Sequence, residues 1–533
     1  MNSQIWDKEW RQSVWTQLDK SWDLLIIGGG ITGAGILREA VRSGLKCLLV
    51  EERDFASGAS SRSSKLVHGG LRYLKNGQFK TTFESVRERE RLQKEGRGLI
   101  KQLGFLHAHL QSDRLPGWMF GAGLCVYDIL AGTWLHRHYD EMDMRELCRP
   151  LTTPNLIDGY RFFDAITDDA RLVMRVLREA SREGGIALNY CRADKLLKKQ
   201  DGTICGAVLN DRSGLINYSV EVKASIVINA TGSHCDILRK QAGGNARLRP
   251  LRGSHLVIKQ YRLPITRAVS FAHPFDQRPI YALPWENATI FGTTDVDHPS
   301  ENLADPVIDS VEWEYLFEGL NAVFPEQRLN EQDVISTFSG IRPTINTETT
   351  NPSKISRDYE IHENNGMITV SGGKLTTFRL MALDTLKRIA KRGILSVKMD
   401  RSHPILDKTG IDQLDETDLT AAEKLRICGR YGRDAQFLFK NGKSERLPVI
   451  ETTPFLWSEL KWATASEGAV HLEDILLRRI RIGLLLPKGG EKFMQQIRAI
   501  VQPEMEWNDS QWDSERSSYM QLWKKYYSPA GSS

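Results

Sequence analysis

Six residues near the N-terminus, Gly28-Gly29-Gly30-Ile31-Thr32-Gly33, constrain this chain more than any others. Before them runs a short apolar stretch, Asp23-Leu-Leu-Ile-Ile-Gly28, with the length and composition of a buried strand. After them a helical pattern extends from about Ile31 to Ser43, with Gly44 as its stop. Lys46-Cys-Leu-Leu-Val-Glu51 is the next buried strand. Strand, glycine turn, helix and strand form a βαβ unit, whose parallel strands need a right-handed crossover. A G-x-G-x-x-G turn in that place cradles a dinucleotide pyrophosphate. Gly28 permits the tight turn, Gly30 lets the backbone approach the phosphates, and Gly33 lets helix and strand pack closely. Thr32 lies in the first turn of the helix, whose free N–H groups and partial positive charge face the phosphates. Glu51 stands where an acid would meet the ribose hydroxyls.

Glycines alone do not separate FAD from NAD. Residues 186 to 230 alternate apolar and polar positions and read as a β-meander, which ends in a buried strand and Asn229-Ala230-Thr231-Gly232. Met367 to Ser371 is a further buried strand, followed by Gly372-Gly373-Lys374-Leu375-Thr376-Thr377 at another helix start. Distant segments converging on one cofactor suit a large flavin held permanently. The last helix end could stabilise negative charge on the reduced ring. Ala193, within the meander, is counted with the cofactor site, together with Ala230, Thr231, Gly232, Gly373, Leu375, Thr376 and Thr377.

A length of 533 residues predicts two or three domains. No apolar run approaches the roughly 20 residues that span a bilayer. The start, Met1-Asn-Ser-Gln-Ile-Trp6, has no secretory pattern. A net charge of +5 without a dense Lys/Arg stripe argues against nucleic acid and is compatible with an anionic substrate or lipid surface. The seven cysteines are scattered and form no CxxC pair, so no metal site and no disulfide framework is expected. Trp6, Trp10, Val14 and Leu18 recur at four-residue spacing and predict an amphipathic helix over residues 1–20. It can lie on a membrane or pack against the protein's own body, and its mixed charge favours the second. Helical spacing is also expected from about Thr81 to Leu103, loop character from Ala56 to Gly70, and helices from Asp407 to the end.

Several stretches resemble the FAD-dependent glycerol-3-phosphate dehydrogenases, across essentially the whole length. They are Ser63-Ser-Lys-Leu-Val-His-Gly-Gly-Leu-Arg-Tyr-Leu74, Gly253-Ser-His255, Gly292-Thr-Thr-Asp-Val296, Ser339-Gly-Ile-Arg-Pro343, Arg357-Asp-Tyr359 and the Gly372 stretch. Thr167-Asp-Asp-Ala-Arg-Leu-Val173, Glu467-Gly-Ala and Leu472-Glu-Asp-Ile-Leu476 are similar too. The resemblance implies an α/β chain with a Rossmann-like FAD-binding domain of the glutathione-reductase/D-amino-acid-oxidase type. An interleaved β-sheet substrate domain and a helical C-terminal domain complete it. The FAD-binding parts are expected at about 21–80, 155–250 and 335–400, the substrate parts at 81–154 and 251–334, and the C-terminal domain at 405–533. Ser63, Ser64, Lys65 and Leu66 would join the cofactor site. FAD would be non-covalent, since no His or Cys occupies an attachment motif. Two departures stand out: Ser233-His234 replaces the family's usual Pro-Trp beside the cofactor, and Ile480 replaces a usual Thr.

Oxidising a secondary alcohol needs a hydride acceptor, a base and groups that fix the substrate. A phosphate dianion calls for several cations, arginine above all. Arg72, Arg342, Arg357 and Lys374 are the candidates, and Tyr73 could donate to the phosphate or the hydroxyl. His68 and His255 compete for the base, while His107, His109, His136 and His138 read as surface or structural. The family passes electrons to a membrane quinone, which implies attachment to the inner face of the cytoplasmic membrane. The apolar stretch Leu115 to Tyr127, flanked by Arg114 and Arg137, is the surface candidate, with a core helix as its other reading. A homodimer is compatible with this reading. The rivals are a glycerol-3-phosphate oxidase, an amino-acid or amine oxidase, and a non-catalytic flavin-binding protein.

Overall fold

A computed structural model describes residues 5–7, 9–74, 77–346, 359–439 and 449–529. The glycine turn follows the strand Trp22–Ile27, which lies at the centre of an eight-stranded sheet. Parallel neighbours flank it: Val220–Asn229 on one side, Cys47–Val50 on the other. Ile186–Leu188 extends the sheet beyond Cys47–Val50, and Met367–Gly372 extends it beyond Val220–Asn229. Trp22–Ile27, Cys47–Val50 and the last four residues of Val220–Asn229 are buried on both faces, which is why they read as unbroken apolar runs rather than alternating ones. The helices Ile31–Arg42, Asp169–Arg182 and Phe378–Lys391 pack together over one face of the sheet. The meander strands Cys191–Lys198 and Ile204–Asp211 fold back antiparallel onto Val220–Asn229.

A second, ten-stranded sheet carries Leu248–Lys259 paired with Val334–Ile345, and Lys101–Leu110 paired with Leu156–Ile166. Sequence periodicity misplaces one boundary here. The helix Phe79–Glu95 stops at Gly96, and residues 101–110 form a strand where helical spacing to Leu103 is expected. The N-terminal segment is shorter than expected too, with an α-helix only at Trp10–Trp15. It packs on the protein itself. Trp6, Val14 and Leu18 are buried, Trp6 Nε1 donates to Ala187 O at 3.0 Å, and Arg11 bonds Asn189 O at 2.7 Å and Asp211 at 3.0 Å.

The C-terminal part is helical, ending in Asp509–Tyr526. An ionic network joins it to the cofactor half. Arg479 donates both terminal nitrogens to Asp54, at 2.7 and 2.8 Å, and Arg478 Nε reaches the same carboxylate at 2.5 Å. Arg430 bonds Asp168 at 3.0 Å, and Arg171 bonds Glu467. All of these side chains are buried. Burial disfavours a charged Asp54, yet Arg479 and Arg478 outweigh it and hold the carboxyl well below its usual range.

Candidate active site

A cavity of about 1740 Å³ is lined by residues of both sheets. It exceeds the roughly 300–1,000 Å³ of a pocket for one small molecule. The glycine turn forms one wall, through Gly28, Gly30 and Thr32. Gly28 has φ +118°, and a Cβ there would lie 2.6 Å from the carbonyl carbon of Ala230. No other residue fits that close approach. A Cβ at Gly33 would run into Gly28 O, so this glycine serves helix packing and does not line the cavity. Glu51 closes the same wall. Its carboxylate accepts from Gly29 N at 2.7 Å and Arg53 N at 3.0 Å, and burial raises it to about 7.

Ser63, Ser64, Leu66, Ala193, Ala230, Thr231, Gly232, Gly373 and Leu375 line the cavity as well, as do Ser233 and His234. Besides Gly33, three more expected cofactor contacts do not. Lys65 is fully buried, with Nζ donating to Ser61 O at 2.7 Å and Asp169 Oδ2 at 2.8 Å. Burial pulls its amine down to about 7, against the pull of Asp169. Thr376 donates to His68 O at 3.2 Å, and Thr377 immediately precedes the helix Phe378–Lys391 without a side-chain capping bond.

Cations from distant segments also line the cavity. Arg342 and Lys374, 32 positions apart in the numbering, both line the cavity. Arg342 Nη1 donates to Asp295 Oδ1 at 2.8 Å and Thr294 O at 3.1 Å, and Nη2 donates to Thr293 Oγ1 at 2.9 Å. These three acceptors fix the guanidinium plane. His68 and His255 also line the cavity. His255 is buried, lies parallel to Phe338 with centroids 4.6 Å apart, and meets Ser64 Oγ through Nε2 at 2.8 Å. Burial, then Arg342 and Lys65, push its pKa well below the ordinary histidine value, so the ring is neutral at pH 7. Arg357 lies outside the described residues, as do the side chains of Arg72 and Tyr73.

Among the wall residues that sequence reasoning missed are one arginine and two histidines. Arg278 lines the cavity, 3.9 Å from Asp295 and 3.4 Å from Thr293 O, and nothing in its turn distinguishes it from a surface arginine. His107 and His109, expected at the surface or in a structural role, both line the cavity. They sit two apart on the strand Lys101–Leu110, and that spacing puts both on one face. His107 stacks on Phe120 with centroids 3.8 Å apart, and burial lowers it to about 3.

The fold and this cavity define a flavin-dependent oxidoreductase: residues 23–379 match the family model for FAD dependent oxidoreductases. Residues 399–512 match the C-terminal domain of alpha-glycerophosphate oxidase. The chain is 32% identical over 532 residues to glycerol-3-phosphate dehydrogenase 2 of Mycobacterium bovis, covering 96% of this chain and 89% of that one. It is 36% identical over 489 residues to the aerobic glycerol-3-phosphate dehydrogenase of Staphylococcus haemolyticus, covering 86% and 87%. The crystal structure of the glycerol-3-phosphate dehydrogenase from Bacillus halodurans complexed with FAD superposes with a TM-score of 0.78 at 26% identity, over 97% of this chain and 98% of that one. The chain belongs to the FAD-dependent glycerol-3-phosphate dehydrogenase family. FAD is its cofactor, and the glycine cradle against Ala230, the helix start at Ile31 and the carboxylate of Glu51 fit that molecule.

Proposed function

We propose that this chain oxidises sn-glycerol 3-phosphate to dihydroxyacetone phosphate at the inner face of the cell membrane and delivers the electrons to a membrane quinone. The observation that carries the reaction is the shared cavity, in which the dinucleotide cradle, Arg342, Lys374 and His255 meet. FAD, when bound, supplies the hydride acceptor. Arg342 and Lys374 take the substrate phosphate, and Asp295 keeps Arg342 in the orientation for paired bonds. Arg72, Tyr73 and Arg357 join them on the strength of the family motifs. Of the two histidines, we assign the base to His255, because Ser64 and Phe338 hold its ring in place and it is neutral, able to accept the hydroxyl proton as the carbinol hydride leaves. Burial beside Arg342 and Lys65 weakens it as a base. An amino-acid oxidase would need one arginine for a carboxylate, and Arg278 beside Arg342 adds to the case for a dianion.

The membrane reading rests on the helix Gly117–Ala131. Trp118 and Ile129 are each 68% exposed, and Leu115, Met119, Trp134 and Leu135 are exposed beside them. So broad an apolar surface is costly in water and suits a lipid interface. No helix among the described residues is long and apolar enough to cross a membrane. Two experiments test the proposal. Anaerobic glycerol 3-phosphate should bleach the flavin absorbance at once; an unchanged spectrum ends the substrate assignment. Trp118→Asp together with Ile129→Asp should release the protein from anionic lipid vesicles and slow a quinone analogue, with anaerobic bleaching intact. Rapid stoichiometric peroxide formation in air would identify an oxidase instead.

A further inference from the structure

Far along the chain from the flavin cradle, a second and smaller cavity of about 210 Å³ lies between the helix Cys235–Gln241 and the hairpin of Tyr359–Asn364 with Met367–Gly372. Arg239 lines it and is only 1% exposed. None of its three guanidinium nitrogens has a hydrogen-bond partner among the described residues. That is an expensive arrangement. A buried guanidinium carries five donors, and each one left unmade costs desolvation with no return. The nearest carboxylate is Asp236, whose Oδ1 stands 3.7 Å from Nη1. Its Oδ2 is already engaged, accepting from Arg247 N and Leu248 N at 2.9 Å each.

The charges around the cavity balance in number, but Arg239 alone meets its carboxylate, Asp236, without a hydrogen bond. Glu363 is paired with Arg392, and Glu360 with His362 at 2.5 Å and more distantly with Arg247 at 3.8 Å. Arg247 adds a guanidinium at the rim, Asn364 and Asn245 offer amides there, and Glu363, which also lines the cavity, is held by Arg392. Gly244 supplies the access. A Cβ there would come within 2.7 Å of Arg239 Cγ and 2.8 Å of Asn364, so only glycine lets the backbone lie this close to the buried stem. The volume admits a phosphate-sized group with several waters and nothing much larger.

We propose that this cavity is a binding site for a phosphate-type oxyanion, held by Arg239 from within and Arg247 at the rim. A tetrahedral oxyanion matches the donor fork of a guanidinium better than a halide does. Its two elements also reach the flavin cavity, through Gly232–His234 before the helix and Gly372–Lys374 after the hairpin. Occupancy would therefore brace both from the outside. The site is independent of the reaction proposed above.

The test must separate this phosphate from one in the substrate end, so it starts from Arg342→Ala holoenzyme. Equilibrium dialysis with labelled inorganic phosphate, at constant ionic strength in chloride, should find one equivalent bound. Adding Arg239→Met should remove it. Phosphate should raise the melting temperature of the parent only. Displacement by methyl phosphate would assign the site to phosphomonoesters, and resistance to it to the free ion. Equal phosphate binding with and without Arg239 overturns the proposal, as does equal displacement by added chloride. If Arg239→Met yields no flavin-loaded protein, Arg247→Gln replaces it. A several-fold weaker phosphate affinity is then expected, and an unchanged affinity rejects the site.

Discussion

Gly253 and Arg342 share a space that two side chains could not fill: a Cβ at Gly253 would lie 2.6 Å from Arg342 Cζ. The strands Leu248–Lys259 and Val334–Ile345 pair Leu251 with Arg342 and Gly253 with Gly340, so the guanidinium reclines diagonally over the glycine. Gly253→Ala should displace it from Asp295 and leave the flavin cradle untouched. We expect kcat/KM for glycerol 3-phosphate to fall about tenfold, the worth of one charge-assisted bond, with flavin content unchanged. In an Arg342→Ala background the same substitution should cost little, because both act through one interaction. Additive losses would show that Gly253 matters for another reason.

Arg342→Ala itself should lower kcat/KM by about ten- to a hundredfold or more, from roughly 1.5–3 kcal/mol for each bond to a dianion. Arg342→Lys should restore part of it, since an ammonium lacks the paired geometry. Glycerol is the control. Arg342→Ala should be no worse on glycerol than the natural enzyme, and an equal loss on both substrates would move Arg342 from the phosphate to the carbinol carbon.

Gly28→Ala should reduce the flavin bound per chain, because alanine is strained at φ +118° and its Cβ meets the Ala230 carbonyl. Absorbance at the flavin band against protein measures this. Acid precipitation of the natural protein should release the chromophore to the supernatant; yellow pellets would mean a covalent bond.

His471 gives a pH signature to the C-terminal domain. Burial opposes its charge, but the hydrogen bond to Glu515 at 2.8 Å and the field of Asp474 raise it to about 9. A raised histidine stabilises the folded state below pH 6.5, and this is lost as pH rises through 9. The ring is 38% exposed, so screening leaves about 1 kcal/mol. Melting temperature should decline between pH 6.5 and 9.5, and Glu515→Gln should flatten that decline. An identical slope in the variant would remove His471 as its cause.

What could be read from sequence was local. The turn at Gly28, the strand before it and the helix after it announce themselves, since steric demands at Gly28 and Gly33 and unbroken burial leave few alternatives. Arg342 and Lys374 were legible through their glycine-flanked motifs. Arg278 was not, because its turn carries no pattern and only the fold brings it to Asp295. His107 and His109 were misread for a related reason. Their strand follows a helix within six residues, and the helical spacing of the first hides the alternation of the second. Lys65 failed differently: it belongs to a motif full of cavity residues, yet its amine turns away to Asp169.

The ionic network between the halves has a consequence for how the protein is made. Asp54 leaves the ribosome 425 residues before Arg479, the partner that neutralises it. At roughly 5–20 residues per second, that is a wait of about 20–85 s. Asp168 waits for Arg430 in the same way. During translation the nascent flavin half therefore carries carboxylates bound for burial before the arginines that hydrogen-bond them are synthesised, and it cannot close around them. Its final packing is timed by the last fifth of the chain, so a premature stop after residue 400 should yield a polypeptide that is degraded and not a smaller enzyme.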